Sequence, residues 1–210
     1  MTLINKYKLI MSQSTLVYDI RNSRYLNITG RCTLRCQFCP KHNGSKQIHE
    51  YQLALDHQPK ANEIIPLLGD VSQFEEYVFC GYGEPTLNLT TLIEVATEVK
   101  RQGGKVRVNT DGLGNLFHRR NILPELAPVV DSLSISLNAD TEEAYLRHCK
   151  PKLKGAYQAV NEFIKLAPDY IDKVQVSAID GLEGVNIERC EAIVINAKAE
   201  FKHRHLGVIG

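Results

Sequence analysis

The chain has 210 residues, with 25 Lys and Arg against 24 Asp and Glu, and six Cys. That length suits one domain with a sizeable core and is too short for two plus a linker, while the near-balance of charge points to no nucleic-acid or membrane partner. Six Cys is too few for a disulfide scaffold of this size, and no stretch approaches a membrane span or a signal-peptide core. The expectation is a cytoplasmic protein in a reducing compartment, where clustered Cys are metal ligands more often than disulfides.

Residues 1–15 read as an N-terminal extension, with Met11 as an alternative start and residues 1–10 dispensable. Residues 16–210 read as one domain. Leu16-Val17-Tyr18-Asp19-Ile20 and Tyr25-Leu26-Asn27-Ile28-Thr29 are β-prone runs about the turn Arg21-Asn22-Ser23-Arg24, a hairpin whose second strand feeds the Cys-rich segment 32–39. Residues 40–57 lack a sustained period and read as a long surface connection. Asn62 to Leu68 predicts a short helix containing Pro66.

A repeating unit follows. The apolar strand Glu76 to Cys80 ends in Gly81-Tyr82-Gly83-Glu84-Pro85, and Leu89, Leu92, Ile93, Ala96 and Val99 recur at helical spacing up to Gly103-Gly104. A strand from Lys105 to Val108 ends in Asn109-Thr110-Asp111-Gly112, with a helix through about Leu126. Asp131 to Leu137 alternates as a strand, and Asp140 with Glu143 predicts a capping box. Pro151 breaks that helix, and a second run carries Ala156, Val160, Phe163 and Ala167 on one face. Lys173 to Ile179 is a strand ending in Asp180-Gly181, then a helix Ile187 to Ala197 leads to a last strand, Glu200 to Leu206.

Strands separated by helices imply parallel pairing through crossovers. Six such strands predict an α/β fold of the open partial (βα)6 barrel kind, short of the eight strands of a closed barrel. Periodicity leaves a flavodoxin-like or Rossmann sheet open. Either architecture collects its binding groups at the carboxyl ends of the strands, here Cys32, Cys36 and Cys39, then Gly83-Glu84, Thr110-Asp111, Ser136 and Asn138, and Ile179.

Cys32-Thr33-Leu34-Arg35-Cys36-Gln37-Phe38-Cys39 brings three thiols within reach of one small inorganic centre. Three ligands leave one iron of a cubane cluster open, whereas a structural zinc site would need a fourth ligand such as His42. The spacing alone establishes a candidate metal site, so a non-catalytic metal-binding module stays open.

The Cys spacing and the aromatic Phe38 resemble the signature loop of the radical S-adenosylmethionine (radical SAM) superfamily. The resemblance implies a 4Fe-4S cluster on Cys32, Cys36 and Cys39, with S-adenosylmethionine on the open iron and reductive cleavage to a 5'-deoxyadenosyl radical that abstracts hydrogen from a substrate. It also implies the partial barrel and an electron donor such as flavodoxin or ferredoxin. Gly83 and Glu84 match the Gly-Glu pair that meets the methionyl amino group, and Thr110-Asp111-Gly112 matches a Thr-Asn-Gly with Asp in place of Asn. Ser136 and Asn138 fall where ribose or the methionyl carboxylate is contacted, and Phe38 and Ile179 where adenine packs.

The segments Val78 to Leu87, Val106 to Leu113 and Ser134 to Ala139 further resemble the TatD family-associated radical SAM proteins. This implies a functional link to a TatD-type hydrolase. A barrel without a large cap suggests a macromolecular substrate, as for glycyl-radical activases; a small-molecule enzyme similar to deazaguanine-forming synthases is the alternative. No second tight Cys group is present, so no second iron-sulfur cluster is expected. Cys190 reads as core, Cys80 as packing close to the pocket and the best candidate for a redox role, and Cys149 as exposed. Arg35, Lys41, Arg147, Lys150, Lys152, His203 and His205 read chiefly as solvated surface.

Overall fold

A computed structural model of the chain describes residues 14–42, 47–48 and 50–206. The expectations for residues 1–10, and part of that for residues 40–57, lie outside the described residues. Strands β1 (Val17–Ile20) and β2 (Ser23–Leu26) form the antiparallel hairpin. Its turn is two residues rather than the expected four, because Arg21 takes a left-handed conformation (φ 54°) that reverses the chain at once and lets Ser23 pair with Ile20. The short strands β3 (Gln47–Ile48) and β4 (Tyr51–Gln52) pair in the connection that the sequence reads as irregular. Helix α1 (Ala61–Ile64) continues as a single-turn helix Ile65–Leu67, since Pro66 removes a donor that a longer α-helix needs.

The remaining strands are β5 (Glu76–Phe79), β6 (Val106–Thr110), β7 (Ser132–Ser136), β8 (Lys173–Asp180) and β9 (Glu200–His205). Their order in the sheet is β1-β2-β5-β6-β7-β8-β9, and every pairing after the first is parallel. A doubly wound sheet reverses its strand order at a switch point. Here each strand is laid beside its predecessor without reversal, which excludes that alternative and gives the open partial (βα)6 barrel.

Helix α2 (Leu89–Arg101) shows how the sequence makes these units. Leu89, Leu92, Val95, Ala96 and Val99 are buried along one face, and each large apolar side chain contributes about 1.5–3 kcal/mol by leaving water. The helix ends at Gly103, whose φ of +84° suits only a residue without Cβ strain. Asp131 then ties the unit together: it accepts from Lys100 Nζ at 2.6 Å and from the Val106 amide at 2.7 Å.

Three further expectations are corrected. The helix through Leu126 is two pieces, α3 (Gly114–His118) and α4 (Leu123–Leu126), because Arg119 turns left-handed (φ 55°) and Pro124 starts a new first turn. Helix α5 (Glu142–Cys149) is capped by Thr141, whose Oγ1 accepts from the Ala144 amide, while Asp140 is buried and accepts from the Asn186 amide at 2.9 Å. Cys149 is fully buried rather than exposed. Helices α6 (Ala156–Leu166) and α7 (Ile187–Asn196) complete the outer layer, and Cys190 of α7 is fully buried in the core as expected.

Candidate functional site

Beyond Leu26 the chain crosses the carboxyl end of the sheet as the Cys loop, held from two sides. From β5, the Glu84 amide donates to the Arg31 carbonyl at 2.7 Å, and Gly83 lies so close beneath that a Cβ would stand 2.1 Å from the Thr29 oxygen. Gly81 is equally tight, since its Cβ would meet Asn27 Oδ1 at 2.0 Å. From α5, the carbonyls of Cys149 and His148 accept from the Arg35 and Gln37 amides at 3.0 and 2.9 Å, and the Lys152 amide donates to the Thr33 carbonyl at 2.9 Å. Tight backbone approach without room for a side chain is what the two glycines provide.

Within the loop Cys36 is buried, and Cys32 and Cys39 are half-buried. Burial, then the charge of Asp111, pushes the Cys32 thiol up to about 12. Cys36 is raised further, first by a hydrogen bond with Cys149 and then by burial, and Cys39 is raised by burial. Thiolates are the ligand form, and a bound cation reverses such shifts. Among the described residues no three Cys, His, Asp or Glu side chains close on a single metal ion. A cubane takes each thiolate on a different iron, whereas a one-ion zinc site would need the three thiols to converge on one point with a fourth ligand. His42 is exposed, its pKa lowered by partial burial and by Lys41, Arg35 and Lys152.

Two carboxylates sit under the loop. Glu84 (3% exposed) is saturated by four donors: the Thr86 amide and hydroxyl, the Thr110 hydroxyl at 2.8 Å, and the Asp111 amide at 2.6 Å. Asp111 (7% exposed) accepts from Thr33 Oγ1 at 3.3 Å and the Leu113 amide at 2.9 Å, and lies 3.9 Å from Cys32 Sγ. Burial, then the neighbouring Glu84, raises the Asp111 pKa well above the carboxylate range. No Lys, Arg or His side chain pairs with Asp111 among the described residues. An acid left buried without a cation is costly.

Asn138 follows β7 in a left-handed conformation (φ 63°), 2% exposed, and its Oδ1 has no partner. Its Nδ2 reaches Cys149 Sγ at 4.0 Å, and the Tyr145 hydroxyl, also buried and unpaired, completes this group. Ser136 ends β7, half-buried and paired in register with Ser177; Ile179 is buried near the end of β8; Phe38 is half-buried against the core. The fold thus gathers the three Cys, Thr110, Asp111, Gly83 and Glu84 directly, with Asn138 linked through Cys149. Sequence reasoning missed Cys149, Tyr145 and Thr33. The α5 pattern Ala144, Tyr145, His148, Cys149 carries the signal for the first two, since that spacing marks one buried helix face.

Two clefts open on the described surface. The larger, about 690 Å3 and lined by Lys100, Asp131, Tyr170 and Lys173, lies at the amino ends of the strands, away from the cysteines. The other, about 520 Å3, is lined by the Cys loop itself from Cys32 to Arg35, together with Leu87, Phe117 and the cations Arg31, Lys41 and Lys152.

Three soft thiols, a cation-free buried carboxylate and an orphaned amide oxygen fit a cationic iron-sulfur centre and an ammonium-bearing ligand. Fold and site together define a protein of the partial-barrel type that carries its Cys loop after the first parallel strand. The chain belongs to the radical SAM superfamily, whose sequence model matches residues 26–195. The superfamily consists of enzymes that use a 4Fe-4S cluster and S-adenosylmethionine. The chain is 31% identical over 91 residues to the tungsten-containing aldehyde ferredoxin oxidoreductase cofactor-modifying protein of Pyrococcus furiosus, covering 42% of this chain and 23% of that protein. It is 26% identical over 104 residues to a Methanocaldococcus jannaschii protein named as a glycyl-radical enzyme activating enzyme, covering 49% and 39%. The matched segments span well under half of these relatives. Streptococcus suis SuiB bound to S-adenosylmethionine shares the fold at a TM-score of 0.63 and 14% identity, over 88% of this chain and 38% of that one. Among the described residues no helix is long and apolar enough to cross a membrane.

Proposed function

We propose that the chain is a radical SAM enzyme in which Cys32, Cys36 and Cys39 hold a 4Fe-4S cluster, within a core of residues 16–210 preceded by an extension of residues 1–15. When bound, the cluster with S-adenosylmethionine supplies reductive cleavage and a 5'-deoxyadenosyl radical for hydrogen abstraction. The observation that carries this reading is Asp111, a buried carboxylate without a cation, 3.9 Å from the Cys32 thiol.

The chain's own groups then divide the work. Asp111 meets the ligand's positive charge, while Glu84, occupied by four donors, holds Thr110 and the Asp111 backbone in place. Gly83 keeps the metal loop seated. Asn138 Oδ1 accepts from the ligand, Ser136 offers a hydroxyl to its ribose or carboxylate, and Phe38 and Ile179 form apolar walls for its adenine. The cationic cleft of Arg31, Arg35, Lys41 and Lys152 at the loop suits an acidic electron carrier such as a flavodoxin or ferredoxin.

The segments around Gly83, Asp111 and Ser136 support placement with the TatD family-associated proteins and a link to a TatD-type hydrolase. A macromolecular substrate is supported by the likeness to the protein named as an activating enzyme and by β9, whose outer edge pairs with no other described strand. Anaerobic reconstitution with iron and sulfide tests the cluster: about four irons per chain and the spectrum of a reducible cubane are expected, and both are lost in Cys39→Ala. Uptake of one zinc per chain with no iron retained would refute it.

A further inference from the structure

The two faces of the sheet differ chemically. Along β6, β7 and β8, residues such as Val108, Ile135 and Val176 are buried toward the helices, whereas the alternate Arg107, Asn109, Ser134 and Gln175 are polar and reach solvent. A parallel sheet covered on both faces carries near-continuous apolar strands. On the polar face here Asn109, Ser134 and Gln175 stay partly exposed, while Val78 and Ile179 are buried.

One end of it is filled, because Tyr18 stacks on Tyr25 at 5.2 Å and Tyr51 lies 5.1 Å from Tyr18. The open part lies between β5 and β9. Glu76 neutralises Arg107 there, with Nη2 at 2.8 Å and Nε at 3.1 Å. Arg204 of β9, half-buried and in register with Ile179, has no carboxylate partner among the described residues. Burial raises the thiol of Cys80, the residue after β5, and Asn109, Arg107 and Arg204 oppose that shift. Arg204 lies on the same face of the sheet as Gln175, because Gln175 pairs in register with Glu200 and Ile179 with Arg204.

We propose that this space, lined by Asn109, Ser134, Gln175 and Arg204, binds a carboxylate or phosphate group of the substrate, with Arg204 as its charge partner. The guanidinium fork matches either group, and amide and hydroxyl side chains supply further hydrogen bonds. That the bound molecule is the substrate rests on the function proposed above; the anion site itself rests on the polarity of the sheet.

Cys80 is a built-in reporter. Its alkylation by anionic iodoacetate and neutral iodoacetamide is compared by peptide mapping, in cluster-free protein and in cluster-loaded protein holding S-adenosylhomocysteine. The iodoacetate-to-iodoacetamide rate ratio at Cys80 should fall roughly tenfold in Arg204→Gln and survive in Arg204→Lys. Inorganic phosphate or glutarate should protect wild-type Cys80 from iodoacetate, and the one effective at lower concentration names the group. Equal ratios in wild type and Arg204→Gln, or no labelling of Cys80 by either reagent, would overturn the proposal. So would loss of the ratio when S-adenosylhomocysteine is added, because the cofactor's own carboxylate would then occupy the place. A charge-dependent ratio in a protein that never cleaves S-adenosylmethionine would leave the anion site standing and sink the proposed function instead.

Discussion

Gly83 rests on Thr29: a Cβ at Gly83 would stand 2.1 Å from the Thr29 carbonyl oxygen and 2.7 Å from that of Arg31. Neither neighbour is a side chain that can swing aside. The loop that carries the cysteines and the turn after β5 are therefore locked to one another by backbone contact. Gly83→Ala is expected to cost about 1–3 kcal/mol by overpacking and to displace the loop, so iron bound after reconstitution should fall even at temperatures where the variant stays folded. Thermal denaturation and iron analysis check the two effects separately.

Asp111 gives a prediction with a defined sign. Its folded-state pKa is raised by burial and by Glu84, so the carboxylate destabilises the cluster-free fold as pH rises from the unfolded value toward the folded one. Asp111→Asn should then melt higher than wild type at neutral pH, by ~2–4 °C for each kcal/mol relieved. The difference should shrink as pH falls through the ordinary carboxylate range and vanish below about 3, where wild type is protonated in both states. The same variant should bind S-adenosylmethionine more weakly once reconstituted, because the group that answers the ligand's positive charge is gone. Calorimetry across pH and equilibrium binding measure both.

Cys149 should be felt through Cys36. The hydrogen bond between them is the first cause of the raised Cys36 thiol. In cluster-free Cys149→Ala, Cys36 should ionise at lower pH, and the pH profile of its alkylation should move down, at a stability cost of about 1 kcal/mol for the small cavity. An unchanged profile would show that burial alone sets the Cys36 thiol.

The cationic cleft predicts a salt-dependent electron supply. Exchanging Arg35 and Lys152 for Glu should slow reduction of the cluster by an acidic carrier protein several-fold at low salt, with the difference fading as ionic strength rises. Reduction by dithionite, a small reagent, should change far less. Stopped-flow absorbance of the cluster separates the two reductants.

Much of this was legible in the chain because each unit repeats a local rule. The spacing of Leu89, Leu92, Ala96 and Val99 fixes α2, and Gly103 fixes its end. Strand order was not legible, since periodicity is the same in a barrel and a doubly wound sheet; only the pairing of β2 with β5 and onward to β9 decides it. Asp140 looked like a cap because Glu143 stands three residues on, but Thr141 took that role once Asp140 was drawn to the Asn186 amide, 46 residues away. In the site, the Cys loop was readable as a candidate metal site from its spacing, and the strand-end residues from the alternation of strands and helices. The occupation of Glu84 by Thr86, Thr110 and the Asp111 amide, beside an Asp111 that has the Thr33 hydroxyl and the Leu113 amide as donors but no cation among the described residues, depends on contacts between strands and has no sequence signal.

The most direct test of the central claim is anaerobic. The reconstituted protein is reduced with dithionite, given S-adenosylmethionine, and chromatographed for 5'-deoxyadenosine and methionine beside Cys36→Ala. Both products from wild type, and neither from the variant, are the predicted result. A colourless protein that takes up zinc through the same thiols and forms no 5'-deoxyadenosine would contradict it.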